Sequence, residues 1–280
     1  KTFNFRLSTP TDAPLPGGFG VFDFSDILDV GYTHMNDANP QLVNDDFVRT
    51  WTISSASDFD PNTNAFIGTD RVSVTVKRKP GGLMSNVLHD NNDRLIDQKL
   101  PVVFKGTGAG FSCFSTPPKG HPPHVPPQML WIAGGVGITP FMAMWDGILQ
   151  VAKANPGLGA TDIVLLFAGR DDDINVLKHF AAQHGSRPKN VKLSVMAFQS
   201  IKGNVSAAQT ARDGLRPAQF DNALRVEERR MGIDDIQSVA NLKDREVFMC
   251  GPDAMVNWSE TTLTELGIEE ARRHRETFVF

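Results

Sequence analysis

Toward the N-terminus the hydrophobic residues fall mostly at every second position. Phe3, Phe5 and Leu7 alternate with polar neighbours, as do Phe22 and Phe24, and later Val72, Val74 and Val76. A period of two puts one apolar face on an extended chain, so strands are predicted at 3–7, 22–24, 47–54 and 71–79. Pro14-Leu15-Pro16-Gly17-Gly18 makes a turn before the second of them, and the polar stretch Thr33 to Asp46 makes a loop. One short helix is predicted over 81–89, after which Pro101 to Phe104 resumes the strands. Gly106, Gly108 and Gly110 read as a hairpin turn, because Phe111-Ser112-Cys113-Phe114 alternates like a strand and no helical pattern follows. Short strands separated by turn clusters predict a small antiparallel barrel.

The grammar changes after Pro117 to Pro127, a proline-rich stretch that reads as a stiff connector. It divides the chain into 1–120, a linker at 121–127, and 128–280. Met129 to Ala133 is an apolar strand, followed by a glycine turn and a helix from Phe141 to about Ala154. Phe141, Met144, Ile148, Val151 and Ala152 recur on one face of that helix. Strands follow at Asp162–Ala168, Val191–Phe198 and Glu246–Cys250, with helices at Asp171–His184, ended by Gly185, and from Asp253 to Gly267. Glu276 to Phe280 reads as a last strand, while Gly203 to Val239 is polar with mixed helical signals and no assigned element. Strand–helix alternation predicts a parallel sheet with ligands at the carboxyl ends of its strands. The glycine turn and Cys250-Gly251-Pro252 both follow such ends, so they are expected to face one crevice.

Composition narrows this further. Hydrophobic residues make up 40% of the 280 and charged residues 21%, the balance of a soluble globular protein. A formal net charge of −4 argues against nucleic acid or an anionic membrane as the main partner. No apolar run is long enough to span a bilayer. Two distant cysteines, Cys113 and Cys250, build neither a disulfide scaffold nor a metal site, which fits the cytoplasm or another reducing compartment. His121 and His124 have no carboxylate or thiol nearby and read as linker residues. The chain opens with Lys1 inside a strand-like pattern, so a fragment is expected, with any targeting segment upstream out of sight.

The first candidate chemistry is the turn Gly134-Gly135-Val136-Gly137-Ile138-Thr139-Pro140. A strand, side-chain-free residues and a helix start with unpaired N–H groups make an anion cradle suited to a pyrophosphate. Pro140 stands where the full dinucleotide fingerprint has a third glycine. After the next strand come Gly169, Arg170 and Asp171-Asp172-Asp173. An arginine there suits a ribose 2′-phosphate and an acid the 2′-hydroxyl, so both NADPH and NADH stay open. The three aspartates are expected chiefly at the positive end of a helix. Lys77 and Arg78 read as a solvated pair.

Five motifs now stand in order: Arg49-Thr50-Trp51-Thr52, Gly81-Gly82-Leu83-Met84-Ser85, the glycine turn, Cys250-Gly251-Pro252, and Glu276-Thr277-Phe278. Together they resemble the ferredoxin–NADP reductase superfamily, a flavin-binding barrel followed by a Rossmann-like nicotinamide-binding α/β domain. The flavour is that of flavohaemoglobin, cytochrome b5 reductase and oxygenase-reductase modules. The resemblance covers nearly the whole chain, apart from a barrel strand expected before Lys1. It implies a flavin phosphate on Arg49, and Trp51 against the isoalloxazine ring where the family most often has Tyr. It places Thr52 near flavin N5, and Gly82, Met84 and Ser85 against the phosphates. Gly134, Gly135, Gly137, Thr139, Arg170, Gly251 and Pro252 would hold NADH or NADPH. Cys250 would sit where the nicotinamide meets the flavin, with Glu276 near N5 and Phe278 covering the ring. FAD rather than FMN is implied, because most of that family uses FAD. Hydride transfer from nicotinamide C4 to flavin N5 is then largely positioning.

No cluster-type cysteine spacing occurs here, so a haem, iron–sulfur or other acceptor must lie on another domain or protein. Two other readings remain. One is a flavin-binding interaction or sensor module without turnover, and the other a plain dehydrogenase lacking flavin, which leaves the β-rich half unexplained.

Overall fold

The computed structural model describes residues 1–12, 14–25, 47–99, 101–108, 110–116 and 121–277. The predicted loop from Thr33 lies outside these, as does Phe278.

In the N-terminal half, β1 (Thr2–Arg6) pairs antiparallel with β6 (Arg71–Thr75), and β2 (Phe19–Asp23) lies between β3 (Val48–Thr52) and β7 (Val103–Gly108). A bridge from Ile53 to Val74 joins the two sheets. The predicted alternation is what packs them: Phe3, Phe22, Phe24, Val72 and Val74 turn inward together. The helix α1 (Leu83–Asp90) closes this core with Leu83, Met84, Val87 and Leu88. Two elements escaped the sequence pattern because they are too short for a period to show: the hairpin of β4 (Phe59–Asp60) with β5 (Ala65–Phe66), and α2 (Asn92–Asp97).

The glycines at 106 and 108 do not form the predicted turn. They lie inside β7, opposite Val21 and Phe19. At Gly108 a Cβ would fall 2.1 Å from the Phe19 ring, and Gly106 takes a left-handed φ of +132° where the register shifts. Both are needed for close approach and a bulge rather than for chain reversal. Nor do Phe111 to Phe114 form a strand. Phe111 leaves the barrel and packs edge-on against Phe141 and Phe248, at centroid distances of 5.6 Å.

The C-terminal half is a parallel sheet in the order β11-β10-β9-β8-β12-β13. Its strands are β8 (Gln128–Gly134), β9 (Thr161–Arg170), β10 (Val191–Ser200), β11 (Leu224–Glu227), β12 (Glu246–Gly251) and β13 (Arg273–Thr277). The helices α3 (Thr139–Ala154), α4 (Lys178–His184), α5 (Val205–Asp213), α6 (Ile233–Gln237) and α7 (Asp253–Glu265) connect them. The continuous apolar runs Met129–Ala133 and Val247–Cys250 are buried on both faces, as a covered parallel sheet requires. Two boundaries differ from expectation. The stretch 203–239 contains the edge strand β11, whose short Leu-Arg-Val-Glu pattern is masked by its charges. The last strand begins at Arg273, because parallel pairing with β12 supports polar residues there.

The two halves meet along α3. Gln150 accepts from the Phe59 N–H and donates to Ser57 O, while a Cβ on Gly147 would lie 2.6 Å from Pro16. One buried cation ties the sheet below. Arg245, 2% exposed, donates to the carbonyls of Ala240, Met129 and Asp162 and to the Asp162 carboxylate. Arg245→Ala strands those acceptors, so urea denaturation is expected to show a loss of about 3 kcal/mol with an unchanged slope. Asp162→Asn, at a half-exposed partner, should cost about 1 kcal/mol.

Candidate active site

Strand order turns back between β8 and β12: the chain leaves β8 for β9 on one side, and later enters β12 on the other. The two carboxyl ends approach so closely that side chains have no room. A Cβ on Gly137 would fall 2.3 Å from the Cys250 carbonyl oxygen, and one on Gly134 would fall 2.5 Å from Met255 Sδ. Gly135 differs. Its φ is +53° and nothing lies within 4 Å of where a side chain would project, so its backbone faces open space. A 3-10 turn over Gly135–Ile138 leads into α3, with Pro140 inside its first turn. Thr139 is 2% exposed, and both its hydroxyl and its N–H go to Val136 O. It shapes the turn and keeps no donor for an anion.

Above this floor is a cleft of about 600 Å³. Gly134, Gly135, Gly169, Arg170 and Pro252 line it, together with residues that the sequence pattern did not single out: Lys202, Arg230, Met231, Met255 and Trp258. Among the described residues, the side chains of Arg170, Lys202 and Arg230 have no carboxylate partner. Arg229, by contrast, is held in a two-pronged pair with Asp235 at 2.7 and 2.6 Å, over the Phe198 ring. The aspartates after β9 are likewise committed. Asp171 accepts the N–H groups of Lys202 and Gly203 at 2.9 and 3.2 Å, which pulls its carboxyl below the usual range. Asp173 takes Lys77 and the Arg170 N–H. Asp172 is the N-cap residue of the next 3-10 turn, without a side-chain cap bond, and Asp173 lies in its first turn, so two of the three aspartates stand at that positive end. Lys77 and Arg78 are exposed as expected of a solvated pair, but each has a carboxylate partner, Asp173 and Asp90, and Arg78 also bonds Asn86.

Cys250 and Glu276 are brought together as register partners on β12 and β13, with Sγ 3.8 Å from Oε2. Burial pushes the Cys250 thiol well up, and the neighbouring carboxylate adds to it. Glu276 is itself raised by burial.

On the barrel side, Arg49 and Trp51 share one face of β3, the face that Phe22 occupies on β2. The half-buried Trp51 ring leans on Phe22 and Phe24 at 5.9 and 5.6 Å. Thr52, on the opposite face, is 7% exposed. Gly82 begins α1, whose first turn has no side-chain cap; the Met84 side chain is core, and Ser85 Oγ accepts the Lys79 N–H. The lining of the cleft includes Lys77 but none of Arg49, Trp51, Thr52, Cys250 or Glu276.

The raised carboxyl of Glu276 fixes a sign. The folded state holds this proton more tightly, so stability attributable to Glu276 is lost as pH rises from 4.5 through the folded value. Glu276→Gln should therefore gain melting temperature over wild type at pH 7.5 and little at pH 4, as measured by calorimetry at both.

Comparison with known proteins agrees with this geometry. The oxidoreductase NAD-binding domain family matches residues 131–261, which hold the glycine turn and Cys250. The reductase subunit of glycine betaine monooxygenase from Pseudomonas aeruginosa is 28% identical over 207 residues, covering 74% of this chain and 47% of that protein. A flavohemoprotein of Bacillus cereus is 24% identical over 217 residues, covering 75% and 46%. The chain thus spans about half the length of the curated relatives it matches. Among solved structures, the flavohem-like FAD/NAD-binding domain of nitric oxide dioxygenase from Vibrio cholerae superposes with a TM-score of 0.54 at 18% identity, over 99% of this chain and 91% of that one. A barrel-like antiparallel half, a parallel sheet turning back at β8 and β12, and the oxidoreductase NAD-binding domain matched over residues 131–261 together make the chain similar to members of the ferredoxin–NADP reductase superfamily.

Proposed function

We propose that the chain is an FAD-dependent NADPH oxidoreductase module that passes electrons to an acceptor on another domain or protein. The observation that carries this is the cleft over Gly134 and Gly135, with an open left-handed glycine at its floor and unpaired cations along its rim. A boundary at 121–127, between a flavin half and a nucleotide half, belongs to the same proposal.

The seat fits a nicotinamide nucleotide. Gly135 and the following turn offer backbone to the diphosphate, while Gly134, Gly137 and Gly251 let the two strand ends close beneath it. Arg170, Lys202 and Arg230 offer three positive groups at the rim, and Asp171 and Asp173 are both already engaged. With two of the three aspartates of that turn engaged and three cations at the rim, the local charge supports NADPH over NADH.

The barrel residues fit FAD: the uncapped first turn of α1 behind Gly82 and Ser85, with Arg49, suits phosphates, and the half-buried Trp51 presents an aromatic surface. The chemistry a bound FAD supplies is acceptance of hydride from nicotinamide C4 and release of single electrons. Cys250 and Glu276 hold a proton between them in a desolvated pocket beside the crevice, and Pro252 starts α7 there. Hydrophobic contacts of Phe111 with Phe141 and Phe248 keep water from the seam. The relatives are an oxygenase reductase subunit and a flavohemoprotein, which supports an oxygenase or haem acceptor. Among the described residues no helix is long and apolar enough to cross a membrane.

Anaerobic stopped-flow with NADPH and NADH side by side tests this. The flavin absorbance should bleach with both, with NADPH favoured about tenfold or more in apparent affinity, the size of one charge-assisted contact. Bound flavin that neither nucleotide reduces over minutes would leave a sensor or interaction module instead. Arg49→Ala should release flavin on gel filtration, and full retention would remove the phosphate role. Arg170→Ala should raise the NADPH KM about tenfold and leave NADH unchanged.

A further inference from the structure

The halves of the molecule touch along two lines of different character. Along α3 the seam is apolar and hydrogen-bonded, through Phe111, Phe114, Pro16 and Gln150. At the mouth of the cleft the contact is an ion pair between residues 96 positions apart. Lys77 Nζ, just beyond β6, lies 2.6 and 2.7 Å from the two carboxylate oxygens of Asp173. The lysine side chain is 52% exposed and the aspartate 13%.

Asp173 does more than pair. Its Oδ2 also accepts the Arg170 N–H at 2.9 Å, so one carboxylate fixes both the barrel cation and the backbone from which Arg170 reaches the cleft. The chain makes room for it: a Cβ on Gly169 would fall 2.9 Å from Asp173 Cβ. Lys77, Gly169, Arg170 and Asp173 all line the same cleft. The neighbouring Arg78 stays within the barrel on Asp90. With its lysine half exposed the pair adds little stability, so its consequence is geometric: it sets how far the barrel stands from the turn after β9.

We propose that Lys77 and Asp173 are a positioning pair for the nicotinamide nucleotide, clasping the barrel against the nucleotide half so that Arg170 and the cleft rim are held ready for its phosphate groups. The proposal rests on the nucleotide reading of the cleft. Without the clasp, ordering of the rim is charged to binding, and affinity falls while the chemical step is spared.

The test is calorimetric titration of flavin-loaded protein with NADP+, for wild type, Lys77→Met, Asp173→Asn, the double variant and Lys77→Arg. Asn at 173 keeps an oxygen for the Arg170 N–H and loses only the charge. Each of the two disrupting single variants should weaken Kd about fivefold or more, with flavin content and kcat unchanged. The double variant should be no worse than the weaker single, and Lys77→Arg should restore binding, as expected for one shared interaction. If Lys77 instead served the nucleotide directly, Asp173→Asn would free it and tighten binding, and that result overturns the proposal. So do additive losses, or wild-type affinity in both singles. Failure of wild type to bind NADP+ at all would instead overturn the cofactor reading beneath it.

Discussion

Two strand ends that nearly touch govern the molecule. β8 and β12 close on each other so tightly that a single methyl on Gly137 would collide with the Cys250 carbonyl at 2.3 Å. That approach is possible only with glycine at the crossing, and it aligns one turn of free backbone, at Gly135, with the start of α3. Everything chemically promising is placed by it. The cations of the rim come from the end of β9 and the segments following β10 and β11, and the Cys250–Glu276 pair from the far side of β12.

The second organising fact is that the halves are joined unevenly. A packed seam on α3 fixes their relation, whereas the cleft mouth is spanned by charge alone. Packed contacts are stiff and ion pairs at half-exposed positions are weak, so any movement between the halves is expected at the mouth. This is where the proposed nucleotide would enter.

The sequence disclosed what depends on period and on glycine. Alternation at Phe3–Leu7 and Val72–Val76 marked inward faces, and the apolar runs at Met129 and Val247 marked doubly covered strands. It misled where one residue type serves two purposes. Gly106 and Gly108 looked like a turn and are a bulge and a ring seat inside β7. The rim residues Lys202, Arg230 and Trp258 were invisible because their convergence is tertiary: each sits in a segment of ordinary polar or helical composition. The aspartates after β9 were visible, but their partners lie up to 96 residues away, so their engagement was not. Trp51 was legible as the aromatic of the first motif, and the structure adds that its ring leans on Phe22 and Phe24.

The most direct test of the central claim is a crystal structure of the flavin-loaded protein with NADP+. The account predicts the diphosphate over Gly135 at the entrance to α3, and the 2′-phosphate among Arg170, Lys202 and Arg230. A nucleotide bound elsewhere, leaving the crossing of β8 and β12 without a phosphate, would contradict it.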